Sequence, residues 1–168
     1  MMQAATFYCH IGEFDKARDL VSEVLEREQQ NVAAQTLRGW VDLTAPVETR
    51  SESRQQFASI NFFEQALSNC EGGGARAQQM NKRYALEALL GSAKYYTLIK
   101  SEQNKPQYAK ALEALNQVVV MHAWFLPALS EKAKLLMMMG DWDQALETAQ
   151  RVLNQDATDI EALRVCAL

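Results

Sequence analysis

Gly12-Glu13-Phe14-Asp15-Lys16-Ala17 and Gly140-Asp141-Trp142-Asp143-Gln144-Ala145 are two copies of one pattern: glycine, acid, aromatic, aspartate, a polar residue, alanine. Gln107-Tyr108-Ala109-Lys110-Ala111 sets an aromatic and an alanine in the same relation. Tyr108 and Trp142 stand 34 residues apart, as do Leu115 and Ala149, and Ala128 and Ala162. Around these marks the apolar residues return at steps of three and four. Phe14, Ala17, Val21, Val24 and Leu25 form one set, and Ala109, Leu112, Leu115, Val118 and Val119 a second. Trp142, Ala145, Leu146, Ala149, Val152 and Leu153 form a third. Such steps put side chains on one stripe of a helix, and that stripe must be buried against a neighbour. No segment shows the period-two alternation of a strand. Gly12, Pro46, the run Gly72 to Gly74, Pro106 and Gly140 break the helices. Thr158 with Glu161 reads as a capping box, and Asp141 with Gln144 as a weaker relative.

A helix–turn–helix unit repeating every 34 residues is the signature of tetratricopeptide repeats. The sequence therefore predicts an all-α chain, a right-handed superhelical solenoid of antiparallel helix pairs. Gly12 and Gly140 let the chain leave the first helix of a pair tightly. Phe14, Tyr108 and Trp142 are expected to pack between the two helices, and Ala17, Ala111 and Ala145 to let the backbones approach. The expected array runs over 1–168 as repeats 1–31, 32–70, 75–122, 125–155 and an incomplete 158–168. In the second repeat the helices are expected near Val32–Thr44 and Ser53–Asn69, with Ser59, Phe63 and Ala66 as small, large and small contact positions. The extra residues of that repeat fall between Thr44 and Ser53. The third repeat has a long first helix near Arg76–Lys100 and a polar Ser101–Lys105 insertion, and the fifth begins at Thr158. Both ends cut through a repeat, so the chain reads as a fragment of a longer array whose ends expose apolar faces.

Composition excludes several function classes. The chain has 168 residues, 48% hydrophobic and 23% charged, with a formal net charge of −4. That is the make-up of a folded water-soluble chain, read as cytosolic, with no basic surface for nucleic acid and no insertion into a membrane. Cys9, Cys70 and Cys166 are too few and too scattered for a disulfide framework or a zinc site. His10 and His122 lie in no nucleophile or metal motif. No enzyme, cofactor, metal or small-molecule substrate is expected. What remains is protein binding on the concave face of the array. By register, inner positions include Thr36, Trp40, Glu87, Leu90, Lys94, Ser130 and Lys134. The Lys/Asn/Arg set that captures chaperone C-terminal carboxylates is missing there, and that absence excludes such a clamp, since a carboxylate needs charge-assisted donors. Trp40, Lys94 and Lys134 are the candidate groove residues.

Glu87-Ala88-Leu89-Leu90-Gly91-Ser92-Ala93-Lys94-Tyr95, Phe125-Leu126-Pro127-Ala128-Leu129 and Asp141 to Arg151, with Glu161-Ala162-Leu163-Arg164, carry a more specific likeness. Phe7-Tyr8-Cys9-His10 and Phe62-Phe63-Glu64-Gln65-Ala66-Leu67 agree with it. The chain resembles the tetratricopeptide repeat protein 21 family, long repeat-only subunits of intraflagellar transport complex A. The resemblance implies a non-catalytic subunit of that complex. Its setting would be the cytoplasm, cilium and basal body, serving retrograde transport and ciliary membrane-protein traffic, with other protein subunits as partners. It carries no catalytic residues over. The alternative is a stand-alone repeat adaptor that binds a short peptide in its groove.

Overall fold

A computed structural model describes residues 1–70, 75–99 and 107–167. The Gly72–Gly74 connection and the Ser101–Lys105 insertion lie outside the described residues. Nine helices and no strand occur among the described residues: α1 (Met2–His10), α2 (Phe14–Arg27), α3 (Val32–Thr44), α4 (Arg50–Cys70) and α5 (Ala75–Leu98). They are followed by α6 (Tyr108–Met121), α7 (Leu126–Met139), α8 (Trp142–Leu153) and α9 (Ile160–Ala167). The chain is an all-α helical repeat. It divides into two compact units, Met1–Tyr95 and Tyr96–Leu168. In both, packing among the described residues is sequential: α1 meets α2 and α3, α2 meets α3 and α3 meets α4 in the first, and α6 meets α7, α7 meets α8 and α9, and α8 meets α9 in the second. Stacked hairpins pack in this way, whereas helices around one closed core do not.

The same turn joins α1 to α2 and α7 to α8. Gly12 N–H donates to Cys9 O and Glu13 N–H to Tyr8 O, while Gly140 N–H donates to Met137 O and Asp141 N–H to Leu136 O. This is the Schellman arrangement, which satisfies the last carbonyls of a helix with its next residue left-handed. Both glycines have φ of 82°. The aromatics that follow are placed differently from expectation. Trp142 is 57% exposed, and Phe14 and Tyr108 are only half-buried. Each is the first residue of its helix. The fully buried contact belongs to the alanine one turn on, at Ala17, Ala111 and Ala145. A first-turn side chain projects back past its own Cα toward the turn, so it covers the hairpin's end rather than filling its middle.

In the first unit, Ala5, Val21 and Ala34 bring α1, α2 and α3 together under Met2, Leu20, Val24, Leu25 and Leu37. Phe63 of α4 is fully buried, meeting Trp40 edge-on with ring centroids 5.8 Å apart. Gly39 of α3 and Gly91 of α5 both face that ring; a Cβ built on Gly39 would sit 2.6 Å from Phe63 Cε1. Two glycines thus let α3 and α5 close on one phenyl ring. A buried ion cluster ties α2 to α3: Asp42, 3% exposed, accepts from Arg18 Nε at 2.9 Å and Arg38 Nε at 2.7 Å. Arg38 also donates to Ser22 Oγ and lies over the Phe62 ring.

Two helix starts differ from the reading of the sequence. α4 begins at Arg50 rather than near Ser53, because Thr49 and Glu52 form a reciprocal capping box. Thr49 Oγ1 accepts from Glu52 N–H at 3.2 Å, and Glu52 Oε2 accepts from Thr49 N–H at 2.7 Å and Glu48 N–H at 2.8 Å. The backbone donors of Glu48 and Thr49 hold the Glu52 carboxyl below its ordinary value. The extra residues of this repeat therefore lengthen α4 as well as the connection. At the other end, α9 begins at Ile160 and its cap is Asp159, whose Oδ1 accepts from Ala162 N–H at 2.8 Å. Thr158 turns back and donates from both N–H and Oγ1 to Asp156 Oδ1. Asp159 wins because its second oxygen also accepts from Ser130 Oγ at 2.8 Å, anchoring the cap to α7.

In the second unit, Leu129, Ala133 and Leu136 of α7 pack with Ala145, Ala149 and Val152 of α8 and with Ala162 and Val165 of α9. Asp141 caps α8 through Gln144 N–H at 3.3 Å, and Gln144 Nε2 returns to the same carboxylate at 2.7 Å.

Candidate partner-binding groove

The first helices of successive hairpins line one open groove in the first unit, about 550 Å³ in volume. Its floor is α3, which offers Ala33, Leu37, Trp40 and Thr44. These positions recur at helical spacing, so one face of α3 is given to the groove while Ala34, Val41 and Leu43 are buried in the core. One wall is α1, with Met2, Gln3, Thr6, Cys9 and His10; the other is α5, with Arg83, Tyr84, Glu87 and Leu90. Trp40 is fixed at the centre. Its Nε1–H donates to Glu87 O at 3.2 Å, and the edge contact to Phe63 holds the ring from beneath. Burial pushes the Cys9 thiol up from its ordinary value, which leaves it protonated and a poor nucleophile. Across the α5 wall, Arg83 Nε donates to Glu87 Oε1 at 3.0 Å, and that ion pair raises the Arg83 guanidinium further.

Of the positions named from the sequence, the groove gathers Trp40, Glu87 and Leu90. Thr36 turns inward, 1% exposed, its hydroxyl without a partner among the described residues. Lys94 lies on α5 beyond Leu90, half-buried and outside the lining. Lys134 and Ser130 belong to α7 in the second unit, where Ser130 is spent on Asp159. The lysines are thus not brought together with Trp40 in this groove. The α1 wall escaped the sequence reading, although Met2, Thr6 and Cys9 repeat at the helical step that marks a shared face. Gly39 and Gly91, which position Trp40 through Phe63, escaped it too.

The second unit has an apolar surface of its own. Leu112, Val120 and Met121 of α6 and Met139 of α7 surround a shallow hollow edged by Glu113 and Asn116, and Val120 is 87% exposed. Elsewhere Arg151 lies 5.7 Å from the centre of the exposed Trp124 ring. Burial, and then the nearby Arg151 charge, lower the Lys132 ammonium. Among the described residues no group of three or more His, Cys, Asp or Glu is placed to hold a metal ion, and no helix is long and apolar enough to cross a membrane.

The comparisons agree with this architecture. The family model described as the tetratricopeptide repeat protein 21 N-terminal ARM repeat matches residues 1–146. Tetratricopeptide repeat protein 21B of Homo sapiens is 34% identical over 168 residues, all of this chain and 11% of the human protein. The Xenopus laevis 21B protein is 34% identical over 165 residues, and the Mus musculus 21A protein 33% over 165, each covering 98% of this chain. The chain thus spans about a tenth of the length of these relatives. Matched along most of its length by that family's model and along all of it by such relatives, the chain belongs to the tetratricopeptide repeat protein 21 family.

Proposed function

We infer that this chain is a non-catalytic protein-interaction scaffold that works as part of intraflagellar transport complex A, in retrograde ciliary transport and the traffic of ciliary membrane proteins. The carrying observation is the sequential hairpin packing with an aromatic-floored groove left open along α1, α3 and α5. Membership of a repeat-protein family supports it. Such an array acts by presenting a surface: contacts of modest strength sum over a large area, and no bond is made or broken. The reading assigns it other protein subunits as partners, the cytoplasm and cilium as its place, and no cofactor, metal, nucleic acid or small-molecule substrate.

The test is co-purification. A tagged copy of the chain expressed in ciliated cells should bring down complex A subunits, detected by mass spectrometry, at levels well above those of a tagged unrelated helical repeat. A clean preparation lacking all of them would sink the ciliary assignment.

A further inference from the structure

Resting on the scaffold reading, we propose that Trp124, Lys132 and Arg151 of the second unit form a docking site for a partner-protein segment carrying one carboxylate beside an apolar side chain. The repeats themselves point to it. Arg38 is the seventh residue of α3, and Lys132 is the seventh of α7. In α3 the second, sixth, ninth and thirteenth residues line the groove. At 3.6 residues per turn the seventh stands about 130° round the helix from the middle of that face, so this site is not the groove. Asp42, eleventh in α3, accepts from both Arg38 and Arg18. The eleventh residue of α7 is Leu136, 2% exposed, so the cation at the same place in the second unit has lost its internal acid.

α8 brings a second cation there in place of a counter-ion. Arg151 acts on Lys132 more strongly than Glu147 does, and its repulsion adds to burial in lowering the Lys132 ammonium. Among the described residues neither Lys132 nor Arg151 makes a hydrogen bond or an ion pair. Arg151 lies instead over the Trp124 ring, 5.7 Å from its centre. Two half-buried cations against the exposed Glu147 leave one positive charge uncompensated. A carboxylate supplies that one charge, whereas a phosphate would bring about 1.5 to 2. The guanidinium can take a carboxylate through two N–H donors, and the ammonium adds another. Half-burial makes such a pair worth more than one on the open surface. Trp124, 55% exposed in the α6–α7 turn, offers ring surface to the apolar neighbour. Tryptophan and arginine are also the residue types that concentrate at the energetic centres of interfaces.

The test uses a carbodiimide, which joins a lysine amine to a carboxylate lying against it. The tagged chain is isolated from ciliated cells and treated, and adducts of Lys132 are read by mass spectrometry. The expected product is an amide between Lys132 and an aspartate or glutamate of another protein. That segment is then synthesised with a fluorescent label and titrated with the chain. Lys132→Gln and Arg151→Gln should each weaken binding at least tenfold, and Trp124→Ala at least fivefold. Glutamine in place of the peptide's acid should weaken it at least tenfold as well. Stability separates this role from a structural one. Without a partner the two cations only repel, so Lys132→Gln should leave the melting temperature unchanged or higher. Arg38→Gln, at the matching place in α3, should lower it, because Asp42 loses a donor. The proposal is overturned by no Lys132 adduct, by adducts only with acids of this chain's own sequence, or by unchanged binding in both charge variants. A melting temperature that falls as far for Lys132→Gln as for Arg38→Gln would overturn it too, as would tenfold tighter binding with phosphoserine in place of the peptide's acid. Complex A subunits are counted in the same samples. Their presence with Lys132 unlinked would sink this proposal and leave the scaffold reading intact, and a charge-dependent adduct without them would do the reverse.

Discussion

Gly39 and Gly140 are glycines for different physical reasons, and substitution separates them. At Gly39 the backbone is ordinary helix, where alanine would normally gain about 1 kcal/mol. The added Cβ would meet Phe63 Cε1 at 2.6 Å, and that ring is fully buried with Trp40 on its edge, so it has nowhere to swing. Overpacking of this kind costs about 1–3 kcal/mol and outweighs the helical gain. At Gly140 nothing lies within 4 Å of a new Cβ, but φ is 82°. The cost there is conformational, about 1–2 kcal/mol for alanine and less for asparagine, which tolerates the left-handed region. Urea unfolding should therefore rank Gly140→Asn above Gly140→Ala, and Gly39→Asn below Gly39→Ala. Equal ranking at the two sites would show that the Phe63 contact does not limit the packing. Only one of these reasons was legible beforehand. The turn glycines announce themselves locally, by an acid and an aromatic just after them, whereas Gly39 and Gly91 are explained by a residue 24 or more positions away.

At the scale of the element, helix existence was readable and helix ends less so. α3 falls on Val32–Thr44 as its apolar spacing predicts, because helical periodicity is a property of neighbours in sequence. Caps are contests between nearby side chains, and the winner depends on what else each can touch. Asp159 displaces Thr158 because Ser130 of α7 holds it, a contact no local pattern reveals. Thr49 and Glu52 were a detectable box hidden by the polar run around them. That box gives α4 a pH dependence of known sign. The folded-state Glu52 carboxyl lies below its ordinary value of 4.5, held there mainly by the Glu48 and Thr49 backbone N–H groups. A depressed carboxyl contributes stability that is present above its unfolded value and is lost as pH falls through its folded value. Glu52→Ala should lower the melting temperature at pH 7, and the gap to the unaltered chain should close as the pH drops below about 4.5. Hydrogen exchange over the first turn of α4 should be faster in the variant at neutral pH. A gap that persists unchanged into strong acid would show that the carboxylate is not the stabilising group.

Across the molecule, stability is a chain of neighbour contacts, so damage at one junction should stay near it. Asp42 offers the sharpest test, since it joins α2 of one hairpin to α3 of the next through Arg18 and Arg38. The three charges were unreadable as a cluster, because their pairing depends on how the first two hairpins stack and not on any motif. Asp42→Ala removes the acid and leaves two guanidiniums, each side chain 16% exposed, with Asp15 still bonded to Arg18 and Ser22 to Arg38. Breaking a buried pair from one side typically costs about 3 kcal/mol, more than replacing the whole cluster by apolar residues. The variant should therefore show faster amide exchange in α1, α2 and α3, while α7 to α9, which hold their own core, keep their rates and serve as the reference. A triple change, Asp42→Leu with Arg18→Met and Arg38→Met, should recover much of the loss, because no charge is then stranded. If Asp42→Ala instead accelerated exchange equally in every helix, the array would be unfolding as one cooperative body, and the picture of hairpins stabilised by their neighbours would have to be given up.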